Sequence, residues 1–314
     1  MRRAVIDVGS NSVLLVVAEQ SSQGWHSIYE EIDVTALGEG TKSTKRLGDA
    51  GMAATLLALR RFYDKARELG AESVRAGVTM AARIAENTPD FLERARDQGT
   101  PMFVVSGEDE AELGFRAVAD DPSFAAQKRI SIIDPGGHST ELVTAERCGD
   151  GWKTLFRRSF PVGTLGLKST HFPHERLHPL EILSASAAID DLIGMIYLPE
   201  ACGTAFVLGA TGTNLVTIRE RIVEWDPVAV HGAWLDYEEI SKAFGAMAEL
   251  DDQGRAAIVG LEPGREKTIH IGALILERFL FALRTSGCFV SVRGWRHALI
   301  EHGLPSERDK EILA

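Results

Sequence analysis

The chain contains one structural unit twice. An apolar segment over residues 5–7 ends in Asp7-Val8-Gly9-Ser10-Asn11-Ser12 and continues into a second apolar segment, 13–18. Residues 129–133 end in Asp134-Pro135-Gly136-Gly137-His138-Ser139-Thr140 and continue into 139–143, 127 positions further on. Each copy reads as a strand, a glycine turn rich in hydroxyls and another strand. Glycine lets a backbone approach a ligand closely and turn successive N–H groups into one concavity, where phosphate is the usual occupant. An Asp just before such a turn can hold Mg²⁺ or orient water. One turn of this kind is an ordinary hairpin device. Two matched copies and a third glycine run, Gly209-Ala210-Thr211-Gly212-Thr213, favour phosphate.

The rest of the chain alternates strand and helix patterns. Residues 31–40 read as extended and end in Gly38-Glu39-Gly40. Residues 52–69 carry Leu56, Leu59, Phe62, Ala66 and Leu69 at helical spacing and stop at Gly70. Strands follow at 73–78 and 102–105, with helices at 89–98 and 108–119. Asp120-Asp121-Pro122 is the natural break, so the expected domains are 1–121 and 122–314. In the second, 205–208 is a strand leading to the glycine run and a helix. Residues 269–283 are an apolar helix and 289–292 a strand. Arg293-Gly294-Trp295-Arg296 opens a final helix that can pack back on the first domain. A chain of 314 residues accommodates two such domains, and the fold class is α/β.

Charge narrows the partners. With 45 acidic and 34 basic residues the net charge is −11, spread over both halves, which argues against broad binding to nucleic acid or anionic membrane. The three cysteines, Cys148, Cys202 and Cys288, show no CxxC spacing and suit a reducing compartment. Asp7 interrupts the N-terminus before a signal-peptide core can form, and the longest aliphatic run spans only 13–18, against the roughly 20 residues of a membrane helix. The expected location is the cytoplasm.

The ordered set of motifs resembles the exopolyphosphatase / guanosine pentaphosphate phosphohydrolase family, within the actin and sugar-kinase fold superfamily. Asp7 to Ser12 looks like the first phosphate loop, Leu37-Gly38-Glu39-Gly40 like the turn that follows it, and Asp134 to Glu141 like the second phosphate loop. Thr79, Ala81, Arg83, Ala85 and Asn87 match an Ala-Thr-Ser-Ala-x-Arg-x-Ala-x-Asn segment. Ser106-Gly107-Glu108-Asp109-Glu110-Ala111 matches the stretch that supplies the catalytic glutamate. Gly163, Gly212-Thr213, Arg265, Gly272-Ala273 and Ser291 to Arg296 follow in family order. The resemblance implies two actin-like (ribonuclease H-like) domains with an interdomain cleft. It implies a hydrolase releasing orthophosphate from the ends of inorganic polyphosphate with Mg²⁺ or Mn²⁺. Glu110, Asp134 and Glu141 would be catalytic, with Asp134, Glu141 or Asp7 on the metal. Phosphate would meet Asp7, Gly9, Ser10, Asn11 and Ser12, Gly136, Gly137, His138, Ser139 and Thr140, Gly212 and Thr213, Arg83 and Arg265. Family members often form homodimers. Larger members add C-terminal helical domains, so this chain is expected to hold the two-domain core and to favour shorter polyphosphate.

Several residues admit plainer duties. Ser106 with Asp109 three residues later forms a capping box, and acids in a first helical turn suit its dipole. His171, His174 and His178 could align on a helix, but Pro173 and Pro179 interrupt them and no further ligand completes a zinc site. Trp295 with its arginines could grip a polyanion or be a buried Trp. Lys42, Lys45 and Arg46 follow the Gly-Glu-Gly turn as a loop able to meet a phosphate chain. Arg83, among small residues, calls for a partner or ligand. If Arg46, Arg83, Arg265, Arg293 and Arg296 line one groove, a polyanion can be held locally despite the net charge.

The chain departs from the family at His138, in the place of a third glycine, and at Pro135, Ala36, Leu14 and Lys267. A His would be costly wherever φ must be positive. Three rivals accompany exopolyphosphatase: 5′-phosphohydrolysis of guanosine pentaphosphate (pppGpp) by the same catalytic parts, a kinase or ATPase of the same superfamily using Gly209–Thr213 for adenosine, and, on the strength of His138 and Lys267, a sensor that binds polyphosphate or an alarmone without turnover.

Overall fold

The computed structural model describes residues 1–22, 24–194 and 202–304. The chain divides into two units, Met1–Ala117 with Trp295–Ala314, and Val118–Gly294. In the first, strands β1 (Arg2–Val8), β2 (Ser12–Ser21), β3 (Gly24–Val34), β4 (Ser73–Val78) and β5 (Phe103–Val104) form one sheet in the order β3-β2-β1-β4-β5. In the second, β6 (Arg129–Pro135), β7 (Thr140–Cys148), β8 (Gly151–Phe160), β9 (Thr204–Val207), β10 (Trp234–Asp236) and β11 (Gly287–Val290) form a sheet in the order β10-β11-β9-β6-β7-β8. The first three strands of each sheet are antiparallel, and β4 and β9 run parallel to β1 and β6. The second sheet therefore repeats the first and adds β10 on its edge.

The repeat is exact in register over three strands. Arg2↔Glu19 and Asp7↔Leu14 in the first unit correspond, at the same shift of 127, to Arg129↔Glu146 and Asp134↔Glu141 in the second. The irregularity at Val17/Ala18 recurs at Thr144/Ala145. The Arg2–Glu19 ion pair, 2.9 Å, recurs as Arg129–Glu146, 2.8 Å. Trp25 and Trp152 each lie beneath an arginine, Arg3 and Arg147. A slip of one residue would turn every side chain to the other face, so this register puts Asp7 and Asp134 on corresponding faces.

Alternation along β1 sets the layers of the first unit. Ala4, Ile6 and Val8 pack with Leu59, Phe62 and Ala66 of the helix Asp49–Glu68. Val5, on the opposite face, packs with Leu113 and Ala117 of the helix Gly107–Ala119 and with Trp295, Ala298 and Leu299 of the helix Trp295–His302. Covering both faces is what a sheet with parallel strands at its centre requires. Gly77 makes room for the Trp295 ring, which a Cβ there would meet at 2.8 Å. Trp295 is thus a core residue of the first unit.

The second unit is organised around the helix Ile269–Leu283, whose Ile271, Leu274, Ile275, Phe279 and Leu280 are buried in one apolar cluster with Ile133, Val207 and Val290. Gly272 lets this helix approach Thr211 on the helix Gly209–Glu220. The expected loop at Gly209-Ala210-Thr211-Gly212-Thr213 is the first turn of that helix. Gly212 is there because a Cβ would lie 2.5 Å from Val207 and 3.4 Å from Val290.

Candidate active site

Both glycine turns close in the same way. Gly9 N–H donates to Ser12 O at 2.9 Å, and Gly136 N–H donates to Ser139 O at 2.8 Å. A Cβ at Gly9 or Gly136 would lie 3.1 or 3.0 Å from those same oxygens, so closure of the turn selects glycine at both. Each turn is backed by the segment that leaves the third strand. Gly38 N–H donates to Ser10 O, and Thr35 and Ala36 N–H donate to Asn11 O. In the second unit, Thr164 N–H donates to Gly136 O, while Leu165 and Gly166 N–H converge on Gly137 O. Gly163 makes that approach possible, because a Cβ on it would lie 2.4 Å from His138 N. The Gly38-Glu39-Gly40 turn and Gly163 are thus supports of the two loops.

His138 does not have positive φ, so no glycine is demanded there. Positive φ falls instead on Ala36, at 49°, in the segment behind the first loop of the other unit. Thr140 is fully buried and donates its hydroxyl to Val162 O at 2.7 Å, which gives it a packing duty. Ser10, Asn11, Ser12, His138 and Ser139 are all buried within their turns.

Beyond the turns the copies diverge in chemistry. Asp7 pairs across the sheet with Leu14, which pairs with Ile32. At the corresponding places Asp134 pairs with Glu141, which pairs with Ser159. Directly opposed residues on antiparallel strands point to the same face. The second loop therefore carries two neighbouring carboxylates where the first carries one and two aliphatic residues. Asp134 Oδ1 sits over Gly209, where a Cβ would lie 3.0 Å from it. Ser159 Oγ donates to Glu141 Oε1 at 2.6 Å.

These residues suit a cation that needs few protein ligands. Among the described residues no three His, Cys, Asp or Glu side chains gather as a metal site. Mg²⁺ is commonly held by one or two carboxylates, with water and substrate phosphate completing its shell. Asp134 and Glu141 meet that requirement. Asp7 has no carboxylate in its cross-strand row.

Glu110 lies in the first turn of the helix Gly107–Ala119. Its Oε2 is 2.7 Å from Arg83 Nη1, and Arg83 Nη1 also donates to Val105 O at 2.8 Å. The two side chains are 14% and 17% exposed, so the pair is largely withdrawn from water. Burial pushes the Glu110 carboxyl above its usual range, against the charge and hydrogen bond of Arg83, which hold it down. Its neighbours do other work. Asp109 N–H donates to Ser106 Oγ, and Ser106 Oγ donates back to Asp109 Oδ2, which closes the start of the helix. Glu112 pairs with Arg116 one turn on.

A family model described as Ppx/GppA phosphatase matches residues 16–307. The chain belongs to the Ppx/GppA phosphatase family. It is a hydrolase of that family. Exopolyphosphatase 2 of Mycobacterium tuberculosis is 26% identical over 296 residues, 90% of this chain and 91% of the relative. The crystal structure of the Aquifex aeolicus Ppx/GppA family member superposes with TM-score 0.77 at 29% identity, covering 100% of this chain and 98% of that one. An exopolyphosphatase from Cytophaga hutchinsonii has the same fold, with TM-score 0.84 at 20% identity over 96% of each chain. The two five-stranded repeats are the actin-like arrangement that the motifs implied.

The remaining family positions in this Ppx/GppA member are tied into the scaffold. Asn87 is buried and forms two hydrogen bonds with the Leu47 backbone, anchoring the end of the Lys42–Arg46 segment, which begins in the short helix Thr41–Thr44 and not as the expected loop. Arg265 pairs with Glu262 at 2.8 Å, and Thr213 Oγ1 donates to Ala210 O. Arg293 lies 3.5 Å from Asp121, and Arg296 lies 3.8 Å from Glu30. His178 caps the helix Pro179–Ile193 through Leu180 N–H, His174 pairs with Glu181, and His171 ends the helix Thr164–His171. His171 and His178 are therefore helix-end residues, and His174 lies in the connection between them. The residue that sequence reasoning missed is Ser159. Its signal was the 127-residue shift, which makes it the counterpart of Ile32 in the other copy.

Proposed function

We propose that this chain is an exopolyphosphatase, releasing orthophosphate from the ends of inorganic polyphosphate with Mg²⁺ or Mn²⁺ as the cation. The observation that carries the reading is a phosphate-type turn built twice in the same geometry, with a carboxylate pair beside only the second. The name of the Mycobacterium tuberculosis relative points the same way.

The roles follow from the chemistry of each group. Gly9 and Gly136 N–H are spent on closing their turns, so the peptide groups between Gly9 and Ser12, and between Gly136 and Ser139, are the phosphate donors. A bound cation would neutralise charge on the transferred phosphoryl group, with Asp134 and Glu141 as its protein ligands. Glu110 orients water and accepts its proton as the water oxygen bonds to the terminal phosphorus. The bond from that phosphorus to the bridging oxygen breaks, and orthophosphate departs. Burial raises the basicity of Glu110 towards the operating pH, while Arg83 keeps a fraction of it ionised. Positioning and charge neutralisation supply most of the catalysis in phosphoryl transfer, which suits a site with few side chains.

Among the described residues no helix is long and apolar enough to cross a membrane. Among the described residues Cys148, Cys202 and Cys288 form no disulfide, which suits a reducing, cytoplasmic location. The test is orthophosphate release with Mg²⁺ from polyphosphates of defined length, pppGpp and ATP in parallel. Polyphosphate is expected to be the best substrate. Preferential release from pppGpp would transfer the same machinery to that alarmone, and phosphate transfer from ATP alone would replace the reading with a kinase.

A further inference from the structure

The scaffold around the second loop contains a polar residue that strand pairing does not require. Ser159 stands directly opposite Glu141 on β8, as Ile32 stands opposite Leu14 on β3, in two three-stranded segments with the same register and the same irregularity. The first copy shows that an aliphatic residue serves the sheet at this place. In the second copy the row instead reads Asp134, Glu141, Ser159, and the serine hydroxyl reaches Glu141 Oε1 at 2.6 Å. The serine hydroxyl donates and the carboxylate oxygen accepts, at the short end of O–H···O bonds.

We propose that Ser159 is a positioning residue for the divalent cation, fixing the rotation of the Glu141 carboxylate so that it meets the metal in one orientation. The inference rests on the reading of Asp134 and Glu141 as the metal ligands. Glu141 is 6% exposed, so its carboxylate has little water with which to settle its orientation. A donor on the neighbouring strand does that at the cost of a single-rotor side chain. Groups that orient metal ligands in this way commonly contribute 10- to 100-fold to metal affinity. Threonine keeps the hydroxyl and suits a strand, so Ser159→Thr is the conservative variant.

The experiment is a titration of the full chain with Mn²⁺ alone, followed by electron paramagnetic resonance, on wild type, Ser159→Ala, Ser159→Thr and Glu141→Gln. Circular dichroism confirms that each is folded. Ser159→Ala is expected to weaken Mn²⁺ binding roughly 10- to 100-fold and to raise the metal concentration for half-maximal hydrolysis in parallel. Ser159→Thr should stay within about threefold of wild type, and Glu141→Gln should bind at least as weakly as Ser159→Ala. Wild-type Mn²⁺ affinity in Ser159→Ala with weakened binding in Glu141→Gln overturns the role of Ser159 and leaves the metal site standing. Wild-type affinity in Glu141→Gln overturns both.

Discussion

Arg83 Nη1 holds Glu110 Oε2 at 2.7 Å in a pair that is mostly buried. The arrangement sets two opposed effects on one carboxyl. Burial raises its pKa and the guanidinium lowers it, with burial the larger. The acidic limb of kcat for polyphosphate should therefore lie above the ordinary Glu value of about 4.3. Removing Arg83 leaves burial unopposed. Arg83→Met should move that limb upward, with Arg83→Lys between it and wild type. A limb at or below the ordinary carboxylate range in wild type would contradict the assignment of Glu110 as base.

The two loops should differ in their demand for metal. Glu141→Gln and Asp134→Asn are expected to raise the Mg²⁺ concentration for half-maximal activity at least tenfold, because each removes one of two adjacent ligands. Asp7→Asn should lower kcat with less than about a threefold change in Mg²⁺ demand, since its row continues into Leu14 and Ile32. Kinetic titration with Mg²⁺ after chelator treatment measures all three. Equal shifts for Asp7 and Glu141 would undo the asymmetry.

Gly163 tests whether the second loop must be backed closely. Any Cβ there would overlap the 137–138 peptide, so Gly163→Ala should cost roughly 2 kcal/mol or more and lose most activity. Gly245→Ala is the control, because a Cβ there meets nothing within 4 Å on an exposed helix position, and it should not destabilise. Urea unfolding of the two variants gives the comparison.

Glu30 predicts acid behaviour of the first unit. Burial acts to raise its pKa, but the hydrogen bond and charge of His297, with Arg296, hold it down at about 2. A carboxyl depressed in the folded state contributes stability above its unfolded pKa of about 4.3 and loses it as pH falls through the folded value. Stability should therefore decline between about pH 4.5 and 2. Glu30→Gln should cost roughly 2 kcal/mol at pH 6 and flatten that decline. An unchanged acid profile would show that the His297 contact does not anchor the final helix.

The repeat, the α/β class and the strands beginning each half were legible because apolar runs ending in Asp and glycine are local signals. The edge strand β8 was hidden. Arg157, Arg158 and Ser159 are exposed there, and the strand lacks the alternation that marks a half-buried one. The three-residue β10 is too short to announce itself. Gly209 to Thr213 read as a loop because glycine and threonine are poor helix formers, whereas close packing on Val207 decides the matter. Asp7, Asp134, Glu141 and Glu110 could be named from motifs. The Arg83–Glu110 contact, the Asp134–Glu141–Ser159 row and the ordinary backbone of His138 depend on register and tertiary packing, which composition and spacing do not encode.

The most direct measurement is orthophosphate release from polyphosphate with Mg²⁺ by wild type and by Glu110→Gln, at equal folded concentration. Wild type should turn over, and Glu110→Gln should be slower by about 10²- to 10⁴-fold, the contribution of a positioned base. Absence of release by wild type, or equal rates for the two proteins, would contradict the account.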